Sequence, residues 1–372
     1  MAVELLRAVN KSKEKCLTQR AAGLAHAPRV LTFFVTNKLG LTMNAQNQNV
    51  NRTSKGKGCL RWFGIGLAGL VGLLLIGFIY ELIAEAADAK AYPPPGQLVD
   101  VGGYRLHLYC SGTGSPTVVI DAGLGDWSTT WGSVQQEVAK TTRVCTYDRA
   151  GLGWSEVGPL PRNAEQHAKE LHTLLQNAKV PGPYVMVGHS LGGLDVRLFV
   201  HDYSSEVAGV VLVDSMSPNQ ITQSPASVAS EPQSQPFSIQ ATLARFGVAR
   251  LIVKLLPGII PALPPGQEAY YPLYVRPQNF QTTDNEYQGV PASGAQAAAV
   301  NSFGDMPLIV LTAKLNDNPH WPALQSELLE LSSNSQQIIA ENSGHTVQLD
   351  EPQVVVEAVL QMSQRVREMS TR

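Results

Sequence analysis

Nine residues near the middle of the chain leave little choice of local structure: Val185-Met186-Val187-Gly188-His189-Ser190-Leu191-Gly192-Gly193. An apolar run enters Gly-x-Ser-x-Gly, and an amphipathic stretch leaves it. A strand turning sharply into a helix fits both halves, and the glycines at 188 and 192 permit the tight bend. Such a bend presents the Ser190 hydroxyl, and the positive end of the next helix favours negative charge beside it. Gly-x-Ser-x-Gly alone is a weak motif, and a tight turn with no chemistry accounts for it equally well. Set between strand and helix, it points to a nucleophile. His189 reads as a packing residue of the turn.

A serine hydroxyl is a poor nucleophile until a base takes its proton. His345 follows Gly344, after the last strand candidate and before the final helical stretch. From such a loop an imidazole reaches back to the turn. His107, His167, His172, His201 and His320 read as surface or packing residues. Two carboxylates compete to orient the base: Asp214, which ends a core strand, and Asp317, in the loop after the next one. An oxyanion needs two backbone donors. The amide of Leu191 follows the serine, and the turn Asp121-Ala122-Gly123-Leu124-Gly125 offers that of Leu124.

Around these residues the pattern alternates. Strand candidates cover 98–101, 105–110, 117–122, 142–147, 184–188, 209–214, 308–313 and 336–340, and helical candidates 165–178, 191–203, 323–331 and 352–367. Continuous apolar strands alternating with helices predict a mostly parallel α/β sheet covered on both faces. Residues 215–304 break the rhythm. They are rich in Pro, Gln, Ser and Ala, with a helical candidate near 239–256, and are expected to form a lid insertion between core segments 98–214 and 305–372. The segment carries Leu251, Ile252, Val253, Leu255, Leu256, Ile259 and Ile260, with Tyr270, Tyr271 and Tyr274, an apolar set suited to a hydrophobic acyl or alcohol group.

Before the sheet, residues 62–80 carry no charge, long enough as a helix to cross about 30 Å of hydrocarbon. Lys55, Lys57 and Arg61 precede the run; Glu81, Glu85 and Asp88 follow it. The positive flank predicts a cytoplasmic N-terminus and an extracytoplasmic domain. A transmembrane helix or signal anchor over 62–84 competes with a cleaved signal whose site is Ala84-Glu85-Ala86 or Ala87-Asp88-Ala89, which would release a secreted protein. Residues 1–61 are expected to be a poorly ordered tail, and Met43 is an alternative start. The triplets Asn10-Lys11-Ser12 and Asn51-Arg52-Thr53 fall on the cytoplasmic side and read as chance. Residues 85–97, with three consecutive prolines at 93–95, read as a stiff linker. The net charge of -2 gives no reason to expect nucleic acid. The four cysteines form no CxxC pair and no Cys/His cluster of zinc spacing, so neither metal nor cofactor is expected.

Together these residues resemble the α/β-hydrolase superfamily, in its serine branch with a lid after the sixth core strand. Besides Gly188-His189-Ser190-Leu191-Gly192-Gly193, the segment Tyr147-Asp148-Arg149-Ala150-Gly151-Leu152-Gly153-Trp154-Ser155 is similar to the family's D-R-x-G-x-G-x-S turn. Ser343-Gly344-His345 with Asp350-Glu351-Pro352 is similar to its G-H-x(4)-E/D-x-P ending. The likeness runs from about residue 96 to 367. The sequence departs where the family has His-Gly in the oxyanion turn, here Ala122-Gly123, and in the irregular G-x-x-D after the seventh strand. A serine nucleophile, where epoxide hydrolases and haloalkane dehalogenases carry Asp, argues against those activities. The family's strand order sets the second and fourth strands side by side, which implies that Cys110 and Cys145 can form a disulfide in an exported domain. The resemblance implies hydrolysis of an ester-type, small and hydrophobic substrate through an acyl-enzyme on Ser190, His345 and Asp214 or Asp317. The same triad serves an amidase, a lipase, a C–C hydrolase or an acyltransferase, and the fold also serves ligand-binding proteins.

Overall fold

The computed structural model describes residues 55–223, 237–256, 258–259 and 263–371. The expected tail up to residue 54, with Met43, Cys16 and both glycosylation-type triplets, and the apolar Ile260 lie outside them.

The apolar run lies within one α-helix, Lys55–Ala91, whose stretch Arg61–Ala91 is long and apolar enough to cross a membrane. Its apolar side chains are exposed along the run, from Trp62 to Ile83. Residues 85–91, assigned to a linker on sequence, continue the helix. The extended link shrinks to the proline stretch before β1, because Ala84 to Ala91 holds only helix-tolerant side chains up to Tyr92.

Eight strands form one sheet: β1 (Gln97–Asp100), β2 (Arg105–Ser111), β3 (Thr117–Asp121), β4 (Val144–Tyr147), β5 (Tyr184–His189), β6 (Val207–Val213), β7 (Leu308–Ala313) and β8 (Ser335–Ala340). Their order is β1-β2-β4-β3-β5-β6-β7-β8. The β1–β2 and β2–β4 pairs are antiparallel, and every other pair is parallel. Central strands β3, β4, β5 and β7 are buried throughout, as expected with helices on both faces. On one face, helices Gly132–Val138 and Pro352–Ser370 close a core that includes Val134, Val138, Val355 and Val359. On the other, helices Ala164–Asn177 and Leu191–Asp202 contribute Leu171, Leu174 and Leu194. Cys110 and Cys145 lie opposite each other in the β2–β4 register and are joined by a disulfide.

The residues between β6 and β7 differ most from expectation. The helix foreseen near 239–256 is two, Phe237–Ala244 and Val248–Leu255, because Gly247 adopts a left-handed φ of 72° that ends the first. A helix not foreseen, Pro277–Ala298, packs against the second core face through Val290 and Ala297. It escaped notice because much of what it buries is polar: Asn279, Thr282, Asp284, Glu286 and Ser293. At Gly289 it approaches the Arg162 carbonyl so closely that a Cβ would lie 1.8 Å from that oxygen.

Candidate active site

Three chain segments meet at the C-terminal end of the parallel strands. β5 runs into Ser190, whose φ of 51° and ψ of -119° lie in strained territory for a non-glycine residue. The bend survives because its neighbours lack side chains. A Cβ on Gly188 would lie 2.6 Å from the Gly192 carbonyl oxygen, and one on Gly192 2.5 Å from the Asp121 carbonyl oxygen. Backbone bonds then brace it: the Met216 amide donates to the Ser190 carbonyl at 3.0 Å, and Ser215 Oγ donates to the Gly188 carbonyl at 2.6 Å.

The same braces hold a carboxylate beside the serine. Asp214 follows β6 with a positive φ of 41°, and its amide donates to the Leu311 carbonyl at 2.7 Å. Its carboxylate is fully buried and well supplied with donors. Oδ1 accepts from the Ala313 amide (2.8 Å) and Trp321 Nε1 (2.6 Å), and Oδ2 accepts from Asn316 Nδ2 at 3.3 Å. His345 completes the set. Its Nδ1–H donates to Asp214 Oδ2 at 2.7 Å, which leaves Nε2 free to accept from Ser190 Oγ at 2.9 Å. The loop carrying His345 is held from behind, where Asp350 Oδ2 accepts the Gly344 amide at 3.0 Å and Glu351 Oε2 accepts the Asn342 amide at 2.9 Å. The His345 side chain is 44% exposed, so the chain of hydrogen bonds opens to solvent at the imidazole edge.

Of the two competing carboxylates, Asp214 meets His345. Asp317 is exposed in the loop after β7, and no hydrogen bond joins it to His345 among the described residues. The irregular lead-in to that loop turns Asn316, not Asp317, toward the site, where it serves as a donor to Asp214.

His189 is buried behind the serine and donates through Nε2–H to the His345 carbonyl at 2.9 Å. Burial, aided by neighbouring His345, depresses its pKa to about 3, so the ring is neutral. The turn 121–125 faces it. A Cβ on Gly123 would lie 2.8 Å from His189 Nδ1 and 3.3 Å from Ser190 Cβ, which puts this turn directly against the serine bend. Among the described residues, neither the Leu124 nor the Leu191 amide donates to a protein acceptor.

What holds that turn was not legible in sequence. Arg149, fully buried, donates through Nη1 to Asp121 Oδ1 (2.8 Å) and the Ala122 carbonyl (2.6 Å), and through Nη2 to the Gly123 carbonyl. Its opposite edge meets Glu286, with Nε to Oε1 at 2.7 Å and Nη2 to Oε2 at 3.1 Å. Glu286 Oε2 also accepts the Gly125 amide at 2.9 Å. Burial pushes the Glu286 carboxyl up, but the Arg149 guanidinium outweighs it and holds the pKa below the ordinary value. Thus a glutamate from helix Pro277–Ala298 and an arginine from the β4 turn grip the turn beside Ser190 from two sides. Arg149 was visible in the Asp148-Arg149 motif but without this role. Glu286 left no sequence signal. Asp148, its neighbour, pairs with the buried His107 at 2.9 Å and accepts the Trp154 amide at 3.0 Å, fixing the rest of the β4 turn.

A mostly parallel sheet with a strained serine at the end of a central strand, and a histidine loop after the last strand, defines an α/β-hydrolase architecture. The model of the alpha/beta hydrolase family matches residues 111–358, and the chain belongs to that family. It is 29% identical over 261 residues to "Uncharacterized protein YqjL" of Bacillus subtilis, covering 68% of this chain and 87% of that one. It is 38% identical over 125 residues to "Probable transporter efuK" of Hormonema carpetanum, covering 32% of this chain but only 18% of that protein's length. Among solved structures, a thermophilic esterase from Thermogutta terrifontis superposes with a TM-score of 0.54 at 20% identity, covering 73% of this chain and 98% of the esterase. At that identity the likeness is one of fold.

Proposed function

We propose that this chain is a membrane-anchored serine hydrolase that cleaves ester-type carbonyl substrates through an acyl-enzyme. The observation carrying this reading is the unbroken chain from Ser190 Oγ through His345 to Asp214, at 2.9 and 2.7 Å. His345 Nε2 takes the Ser190 proton as Oγ attacks the carbonyl carbon, and Asp214 stabilises the imidazolium and holds its tautomer. The amides of Leu124 and Leu191 receive the oxyanion. His345 then protonates the leaving alcohol. A water, deprotonated by the same imidazole, attacks the acyl-enzyme, and the acid leaves as Ser190 regains its proton.

Residues 215–304 act as the lid in this reading; Leu251, Leu255, Leu256 and Ile259, expected from sequence to suit a hydrophobic acyl or alcohol group, are exposed instead, so they carry no preference for the substrate. The apolar helix supports a single span with the catalytic domain outside the cytoplasm. Hydrolysis of p-nitrophenyl esters of graded chain length tests the reaction. Wild type is expected to turn them over, and Ser190→Ala and His345→Ala to lose roughly 10⁴-fold or more in kcat. Wild-type rates in Ser190→Ala would remove the serine from the chemistry, and no turnover by folded wild type would leave the fold as a binding module.

A further inference from the structure

Helix Val248–Leu255 has its polarity reversed for a protein surface in water. Arg250 points inward: its side chain is 10% exposed, with Nε 2.8 Å from Glu81 Oε2 and Nη1 2.7 Å from Asp88 Oδ2. The opposite stripe points outward. Leu251 is 55% and Leu255 68% exposed, one helical turn apart, and Leu256 and Ile259 just beyond the helix are equally uncovered. A helix that turns Arg250 inward and exposes its leucines, with Lys254 exposed beside them, fits the boundary between hydrocarbon and charged headgroups on its outer side.

Its attachment point identifies that environment. The pair of helices containing it is fastened to the end of the uncharged run. A Cβ on Gly77 would lie 2.3 Å from the Phe246 carbonyl oxygen, and one on Gly247 2.9 Å from the Tyr80 ring. From Gly77 to Glu81 the Lys55–Ala91 helix rises only about 6 Å. The polar headgroup layer on one side of a bilayer is of that same thickness, roughly 5–8 Å. If residues 62–80 span the hydrocarbon, the helix clipped to residues 77–81 lies at the outer boundary, where amphipathic helices bury their apolar face about 5–10 Å deep.

The geometry points to a second membrane contact: the stripe Leu251, Leu255, Leu256 and Ile259 docks into the outer leaflet beside the spanning helix. The inference rests on the anchor reading. It adds that the insertion after β6 is a bilayer-bound element, so that a lipid-dissolved ester reaches the enzyme from the membrane side. The Glu81–Arg250–Asp88 cluster sets the angle of the docked helix against the span.

The test uses the full chain, carrying Cys16→Ser and Cys59→Ser, reconstituted in phosphatidylcholine vesicles. An environment-sensitive fluorophore is attached in turn at Leu251→Cys, Leu255→Cys, Ile76→Cys and, as a water-facing reference, Glu357→Cys. Lipids bearing a nitroxide near the headgroup, or deep in the acyl chain, serve as quenchers. Docking predicts that the shallow nitroxide lowers emission at 251 and 255 by about twofold or more while 357 is unchanged, and that the deep nitroxide quenches 76. Quenching at 76 without quenching at 251 and 255 overturns the docking and leaves the anchor standing. Blue-shifted emission at 251 and 255 that no lipid nitroxide quenches also overturns it, since a second copy or another protein then covers the stripe. No quenching at 76 refutes the span itself, and the docking with it.

Discussion

Glu286 offers the most demanding perturbation, because its carboxylate bonds to Arg149 and the Gly125 amide and not to Ser190 or His345, and yet grips the turn beside them. Glu286→Gln keeps the shape and one acceptor but removes the charge facing Arg149. The guanidinium retains Asp121 as its remaining anionic partner. Breaking a buried ion pair by neutralising one member costs about 3–5 kcal/mol, and the surviving Asp121 contact argues for the lower end, about 3 kcal/mol. In a domain of this size that corresponds to a fall of roughly 5 °C in Tm. The amide also turns one end from acceptor to donor. Either Arg149 or the Gly125 N–H, now bonded to Oε2 at 2.9 Å, faces a donor. The turn carrying Leu124 is then free to shift against Ser190. Complete loss of one oxyanion donor costs about 10²–10³ in kcat, so partial displacement predicts a fall of about 10–100-fold with little change in KM. Steady-state hydrolysis of a p-nitrophenyl ester well below the variant's Tm measures this, with Glu286→Asp as a carboxylate that restores charge at shorter reach and is expected to recover part of kcat. A variant that loses the predicted stability but retains kcat within about twofold of wild type would refute the link between this clamp and the oxyanion site.

Exchange of the two candidate acids separates them further: Asp214→Asn is expected to lower kcat by about 10³–10⁴-fold, since the amide favours the wrong imidazole tautomer, whereas Asp317→Asn stays near wild type. For His189 the sign follows from a pKa of about 3 when folded against an ordinary value near 6.5 when unfolded. The unfolded chain takes up the proton first, so this contribution is intact above pH 6.5 and is lost as pH falls toward 3. Chemical denaturation from pH 6.5 to 4 should therefore show wild type losing about 1.4 kcal/mol per pH unit more than His189→Gln; parallel curves would contradict a buried neutral ring. The Cys110–Cys145 bond closes a sequence separation of 35, so Cys110→Ser with Cys145→Ser should cost about 4 kcal/mol in denaturation, and no change would mean the cross-link constrains nothing.

The elements legible in sequence were those whose physics is local. Apolar runs such as Val118–Ile120 and Val210–Val213 sit in the sheet where their pattern put them, and the glycines around Ser190 encode a bend that only those spacings permit. Asp214 and His345 stood out because each follows a core strand. Two features were illegible for a common reason: they depend on partners distant in the chain. Glu286 lies 137 residues from Arg149, and its helix buries polar groups, so no apolar period reveals it. Trp321 donates to Asp214 from 107 residues away, from the start of a helix expected two residues later. The division of the 239–256 stretch turned on one glycine, whose left-handed geometry no periodicity signals.

The central claim is that the Ser190 oxygen forms the covalent bond to substrate. Intact-protein mass spectrometry after exposure to a fluorophosphonate, followed by peptide mapping, tests it most directly. The account predicts a single adduct on the peptide containing Ser190, formed quickly by wild type, slowly by His345→Ala and never by Ser190→Ala. An adduct on another residue, or none on a folded wild-type protein, would contradict it.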